Sequence, residues 1–237
     1  MNAIMTLFSR REPPLLRVPL PLRLTAETIA TALLVVFGPG AAVVSAYSGD
    51  SIGPEGVAAA NGIIIMALIY AVGHVSGGHF NPGVTIAFAL FRHFQPREVA
   101  PYIAAQLAGA IIGAALLWSL FGDAVESGVT IPSGSDSQAI GMEIILTFLL
   151  MFVITAVATD VRATGAAAAI AIGATVGLDV LVGGPITGGS MNPARSLGPA
   201  VISGEVSDLW IYLVAPPIGA ILGACSYTLI RADHEEA

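Results

Sequence analysis

Apolar residues run through this chain in six long stretches separated by short polar connections: about Thr25 to Tyr47, Gly56 to Gly73, Val99 to Phe121, Gln138 to Ala158, Thr164 to Gly183 and Trp210 to Ile230. Each has roughly the 17 to 25 residues that cross about 30 Å of hydrocarbon as a helix. Backbone polar groups cannot be left unpaired in lipid, and such long apolar runs argue for spanning helices rather than a barrel. Two further apolar runs are too short to span. One follows Gly78-His79-Phe80-Asn81-Pro82-Gly83 and the other follows Gly189-Ser190-Met191-Asn192-Pro193-Ala194. Asn is a favoured helix N-cap, and Pro suits the first helical position, where an N–H would have no partner anyway. Each segment therefore predicts a short helix that starts inside apolar surroundings.

Composition agrees with a membrane solvent. With 55% hydrophobic and 11% charged residues, the 237-residue chain carries more apolar surface than a water-soluble core can hide. The chain has no lysine, so orientation rests on its arginines. Arg10, Arg11, Arg17 and Arg23 precede the first span, Arg92 and Arg97 lie between the second and third, Arg162 follows the fourth and Arg231 the sixth, all on one side. The other side carries Asp50, Glu55, Asp123, Glu126, Asp136, Glu205 and Asp208, with Arg195 as the basic exception. The positive-inside rule then puts both termini in the cytoplasm, and the inner (plasma) membrane is the expected location. Residues 1–24 read as a cytoplasmic arm, 25–230 as one membrane domain and 231–237 as a cytoplasmic tail. Pro13, Pro14, Pro19 and Pro21 break up residues 1–22, which otherwise have the charge of a signal peptide. The net charge of −7 is scattered over short loops, and no basic face suggests a nucleic-acid partner. The single cysteine, Cys225, excludes an internal disulfide.

The two halves, residues 25–121 and 138–230, repeat each other. Glu27 in Ala-Glu-Thr-Ile-Ala-Thr-Ala-Leu-Leu recurs as Glu143 in Met-Glu-Ile-Ile-Leu-Thr-Phe-Leu-Leu, and the Asn-Pro segments occupy the same place in each half. Three spans per half force the second to run in the opposite sense, which makes the fold an all-α inverted 3+3 repeat of six spanning helices and two re-entrant half-helices. The half-helices then enter from opposite faces and meet N-terminus to N-terminus. Gly109/Gly113 and Gly219/Gly223 have the spacing that lets helix backbones approach closely. Two converging helix N-termini carry about half a positive charge each, so the midplane repels cations, while Asn81 and Asn192 can donate to a passing oxygen. A permeant species must be neutral and offer lone pairs, as water, polyols and undissociated hydroxy acids do.

On these residues the chain resembles the major intrinsic protein (aquaporin) superfamily from about Thr25 to Ile230. The carrying segments are His74-Val-Ser-Gly-Gly-His-Phe-Asn-Pro-Gly-Val-Thr85 and Gly188-Gly-Ser-Met-Asn-Pro-Ala-Arg-Ser-Leu-Gly-Pro-Ala200. The resemblance implies a right-handed bundle, a homotetramer with one pore per subunit, and no cofactor or metal. It also implies that Glu27 and Glu143 are buried and hold loop backbones. From physics alone an intramembrane carboxylate is also a proton-relay candidate, and the two readings stand side by side.

Within the resemblance, the outer constriction falls on Asn61, Val180, Gly189 and Arg195. Arg195 supplies fixed donors and a charge opposed to cations. Water-selective members carry Phe, His and a small residue at the other positions, and glycerol facilitators carry two aromatics. This chain has neither, which predicts a wider and more polar opening with the Asn61 amide facing Arg195. The stretch Asp179 to Arg195, together with Val157 to Arg162, is most similar to nodulin-like intrinsic proteins and their bacterial relatives, a branch that conducts glycerol, boric acid and arsenous acid. Ser196 and Ala200 look water-channel-like, whereas Tyr212 and Leu213 lack the aromatic pair of water-selective members. Gly83 replaces the usual alanine after Asn81-Pro82, which either widens the centre or loosens Asn81. His74 is expected to line the pore as a polar group, with pH sensing the chemical alternative. His79 is expected to pack the first loop, with Phe80 and Met191 as apolar plugs between the loops.

The reading that results is a passive channel for small neutral solutes in a lipid bilayer, excluding ions and protons. The alternatives are a strict water channel and, more remotely, an ion-coupled transporter, for which Asp179 is the one further carboxylate within the spans. No nucleophile, metal cluster or acid/base pair suggests an enzyme.

Overall fold

A computed structural model describes residues 18–159 and 167–231, and these are helical with no strand. The helices are α1 (Leu20–Phe37), α2 (Pro39–Tyr47), α3 (Gly53–Ser76), α4 (Pro82–Leu90), α5 (Val99–Phe121), α6 (Asp136–Thr159), α7 (Ala168–Thr187), α8 (Pro193–Ser203) and α9 (Leu209–Ile230), with 3-10 turns at Pro96–Glu98 and Gly122–Gly128. Six segments are long and apolar enough to span, α1 and α2 together forming the first. Arg10, Arg11, Arg17 and Arg162, and the tail beyond Arg231, lie outside the described residues.

The first and fifth spans differ most from the sequence reading, and the second widens to Gly53–Ser76. The first span starts at Leu20, because Pro19 and Pro21 fall at the cap and first turn, where proline is tolerated. The charge of Arg23 inside that span is met by a bidentate ion pair with Glu98 at 2.8 Å. The same span breaks at Gly38, since Pro39 has no N–H to continue the ladder. The fifth span runs on through Pro185 to Thr187 and begins at Ala168; residues 164–166 of the expected span lie outside the described residues.

The packing inverts that of a soluble protein. On α1, Leu22, Ile29, Leu33 and Phe37 face outward at helical spacing, while Ala26, Glu27, Ala30 and Thr31 face inward. Small residues permit the close approach that replaces a hydrophobic driving force in lipid. A Cβ on Gly113 would meet the Ala32 carbonyl at 2.5 Å, and one on Gly219 the Ile144 carbonyl at 2.5 Å. Gly109 and Gly223 press in the same way on Thr28 and Phe148. So α5 packs on α1 as α9 packs on α6. At the centre, α3 and α7 cross through Gly62 and Gly173, where a Cβ on either would lie 2.6 Å from the other's carbonyl.

Candidate functional site

The two loops before α4 and α8 have matching backbones. Gly77, Gly78 and Phe80 have positive φ in the first, as do Gly188, Gly189 and Met191 in the second. Phe80 and Met191 hold the left-handed conformation, disfavoured for side chains of this size, because both faces of each loop are tied. On the inner face lie the carboxylates. Glu27 accepts from Ser76 Oγ (2.7 Å), His79 N (3.1 Å), Phe80 N (2.7 Å) and Gln106 Nε2 (2.8 Å). Glu143 accepts from Thr187 Oγ1 (2.7 Å), Ser190 N (2.9 Å) and Met191 N (2.8 Å). Both are fully buried.

On the other face the loops join through the asparagines. Asn81 caps α4 by accepting from Gly83 N (2.8 Å), and Asn192 caps α8 by accepting from Ala194 N (3.0 Å) and Arg195 N (3.3 Å). Each Nδ2 then crosses to the other half: Asn81 donates to the Met191 carbonyl and Asn192 to the Phe80 carbonyl, both at 2.8 Å. One amide hydrogen of each side chain is used in this way. Pro82 and Pro193 occupy the first turns, Ala194 is buried between helices, and both Phe80 and Met191 are buried beside the join.

A cavity of about 130 Å³ runs past both asparagines. Asn61, Gly189 and Arg195 line it, and Val180 is buried directly behind Gly189, its Cα 3.2 Å from where a Gly189 Cβ would stand. The four expected filter residues are thus brought together. Arg195 is 6% exposed, donates from Nη1 to the Gly128 carbonyl (2.9 Å), and keeps a buried Nε with no protein partner. The amide of Asn61 does not face Arg195 as expected: its Nδ2 turns back to the Val57 carbonyl of its own helix at 2.8 Å. His74 is exposed on the last turn of α3 and is not among the residues lining this cavity. Gly83 does not line it either, and a methyl there would meet Asn81 Oδ1 at 3.2 Å and Pro216 at 3.6 Å. The missing methyl leaves the Asn81 cap intact and faces α9 rather than the opening. His79 packs the first loop as expected, between Phe88, Phe94 and Tyr102 at ring distances of 5.2, 4.8 and 5.3 Å.

Residues 17–227 match the sequence profile of the major intrinsic protein family. The chain belongs to that family. It is 49% identical over 219 residues to Aquaporin NIP1-1 of Oryza sativa subsp. japonica, covering 92% of this chain and 77% of that protein. It is 48% identical over 223 residues to Nodulin-26 of Glycine max, covering 94% and 82%. Its fold matches the X-ray structure of the aquaglyceroporin from Plasmodium falciparum with a TM-score of 0.79 and 25% identity, over 90% of this chain and 97% of that one. This major intrinsic protein is a multi-pass membrane channel for small neutral solutes, and not an enzyme.

Sequence reasoning missed most of the apolar wall of the pore. Leu150, Ile154 and Ala158 on α6, and Ala168, Ile172 and Val176 on α7, line it at four-residue spacing. In a span that is apolar on every side, such a stripe cannot be told from a lipid-facing one by pattern alone.

Proposed function

We propose that this channel passes glycerol and metalloid hydroxides such as boric or arsenous acid together with water, and excludes ions and protons. The carrying observation is the opening formed by Asn61, Val180, Gly189 and Arg195, which sets no aromatic ring against the arginine. The Arg195 guanidinium, fixed by its Nη1 bond to the Gly128 carbonyl, lines one side, Asn81 and Asn192 line the centre, and aliphatic side chains such as Ile65, Leu150 and Ile172 make up much of the remaining wall. A compact polyhydroxy solute matches such a surface: its hydroxyls find the donors and its carbon or metalloid face meets the wall. Cations meet the buried Arg195 charge and then the N-termini of α4 and α8. The Asn81 and Asn192 amides donate at the centre, and Glu27 and Glu143 serve as loop anchors rather than proton relays, since their oxygens are occupied by loop N–H and hydroxyl donors.

The same reading places both termini in the cytoplasm, the protein in the plasma membrane, and four copies in an assembly with a pore in each. The name of the rice relative, an aquaporin, supports water, and that of the Plasmodium falciparum aquaglyceroporin supports water together with glycerol. A strict water channel is the second reading, favoured by Ser196, which stands buried in a hydroxyl chain from Thr130 (2.8 Å) to Ser190 (2.5 Å) where glycerol facilitators carry a charged pair with residue 200. Stopped-flow light scattering on proteoliposomes decides between them. Glycerol and boric acid flux well above protein-free vesicles supports the proposal, and fast water with no solute flux selects the strict water channel.

A further inference from the structure

The orientation of Asn61 depends on a residue outside the expected filter. α1 ends at Phe37 and α2 begins at Pro39, leaving Gly38 at the break with φ −80° and ψ −87°. Asn61 Oδ1 lies directly over it. A Cβ on residue 38 would come within 2.7 Å of that oxygen and 3.4 Å of the Asn61 Cγ, where non-bonded heavy atoms settle at about 3.5 to 4.0 Å. Leu34, one turn before Gly38, lines the cavity together with Asn61, Gly189 and Arg195, so the recess opens on the filter itself. The carboxamide is therefore seated at both ends. Its nitrogen is held by the Val57 carbonyl, and its oxygen rests in the space that a side chain on residue 38 would fill.

We propose that Gly38 is a positioning residue for solute specificity: its bare α-carbon lets the Asn61 carboxamide lie back against the wall, and a side chain there drives the amide into the opening beside Arg195. This rests on the reading that passage is limited at the filter. A displacement of about 1 Å, the shortfall from an ordinary contact, narrows the opening for a polyol while a single water still passes. A Gly38 Cβ would also come within 2.7 Å of the Leu34 carbonyl, so the effect through Asn61 has to be separated from an effect on the helix break.

A double-mutant cycle makes that separation. Wild type, Gly38→Ala, Asn61→Gly and the double variant are reconstituted, and water and glycerol permeabilities are measured per channel. The expected result is at least a fivefold loss of glycerol permeability in Gly38→Ala with less than a twofold loss for water. In the Asn61→Gly background the same substitution changes glycerol by less than twofold. A glycerol loss that persists in that background, or water and glycerol falling together, overturns the proposal. If Gly38→Ala alone does not assemble but the double variant does, the contact is supported; if neither assembles, the Leu34 carbonyl dominates and the proposal fails. Wild-type vesicles that pass water but no glycerol would refute the solute range and, with no polyol flux for residue 38 to limit, overturn this proposal with it, whereas wild-type glycerol flux without the expected cycle overturns the proposal alone.

Discussion

The two halves of the pore are built on one backbone and lined by different chemistry. Ser76 and Thr187 end equivalent helices and bind equivalent carboxylates, and Gly62 faces Gly173 across the centre. Carrying this correspondence through, the outer set Asn61, Val180, Gly189 and Arg195 is matched in the other half by Ile172, Ile69, Gly78 and Val84, which also line the cavity. At these four matched positions one half thus carries an amide and a guanidinium where the other carries only hydrocarbon and backbone. On the proposed reading, solute choice resides in two exchanges, Asn61 for Ile172 and Arg195 for Val84, and the scaffold is neutral. The anchors differ as well. Glu27 has the Gln106 amide as a fourth donor, whereas Pro216 stands at the corresponding sequence position of the second half.

The largest effect is expected from removing an anchor. Glu143→Ala leaves Thr187 Oγ1 and the N–H groups of Ser190 and Met191 without their acceptor, at about 1 to 3 kcal/mol for each buried group. No monodisperse protein is expected on size exclusion in detergent, and Glu27→Ala is expected to behave alike. Next comes Val180→His, which makes the outer set bulkier behind Gly189. The water-to-glycerol permeability ratio is expected to rise about fivefold, corresponding to roughly 1 kcal/mol in the barrier; an unchanged ratio would remove Val180 from the filter. Gln106→Leu is smaller still, at about 1 kcal/mol of stability by thermal unfolding, because the second half keeps its loop without an equivalent amide. A loss as large as that of Glu143→Ala would break the equivalence of the halves. Smallest is Gly83→Ala, which restores the residue found at 194. It is expected to change stability by no more than about 1 kcal/mol, the helix propensity gained being offset by the 3.2 Å contact with Asn81 Oδ1, with an unchanged permeability ratio since the methyl does not enter the cavity.

What could be read from the sequence was whatever a residue type determines by itself or a family resemblance carries. Asn81-Pro82 and Asn192-Pro193 predict helix starts by residue type, while the burial of Glu27 and Glu143 and the place of Arg195 came from the family resemblance of the segments around them. What escaped depends on which neighbour the fold supplies. The crossing of Asn81 to the Met191 carbonyl and of Asn192 to the Phe80 carbonyl is a tertiary contact between halves. Asn61 lies between Val57, on its own helix, and Gly38, at the break between α1 and α2. Pro39 was visible, yet a long apolar run around it concealed the break. The exposure of His74 and the burial of Gly83 against α9 were likewise settled by packing, not by residue type.

The comparison is tested most directly by ion leak at its two matched positions. Proton-gradient dissipation in vesicles is measured for Arg195→Val, which copies the apolar half, and for Val84→Ala, which alters that half without touching charge. The account predicts at least a tenfold faster leak for Arg195→Val, about 1.4 kcal/mol of barrier, with Val84→Ala at the wild-type rate. Equal leaks in the two variants, or no change in Arg195→Val, would contradict it and leave exclusion to the half-helix N-termini alone.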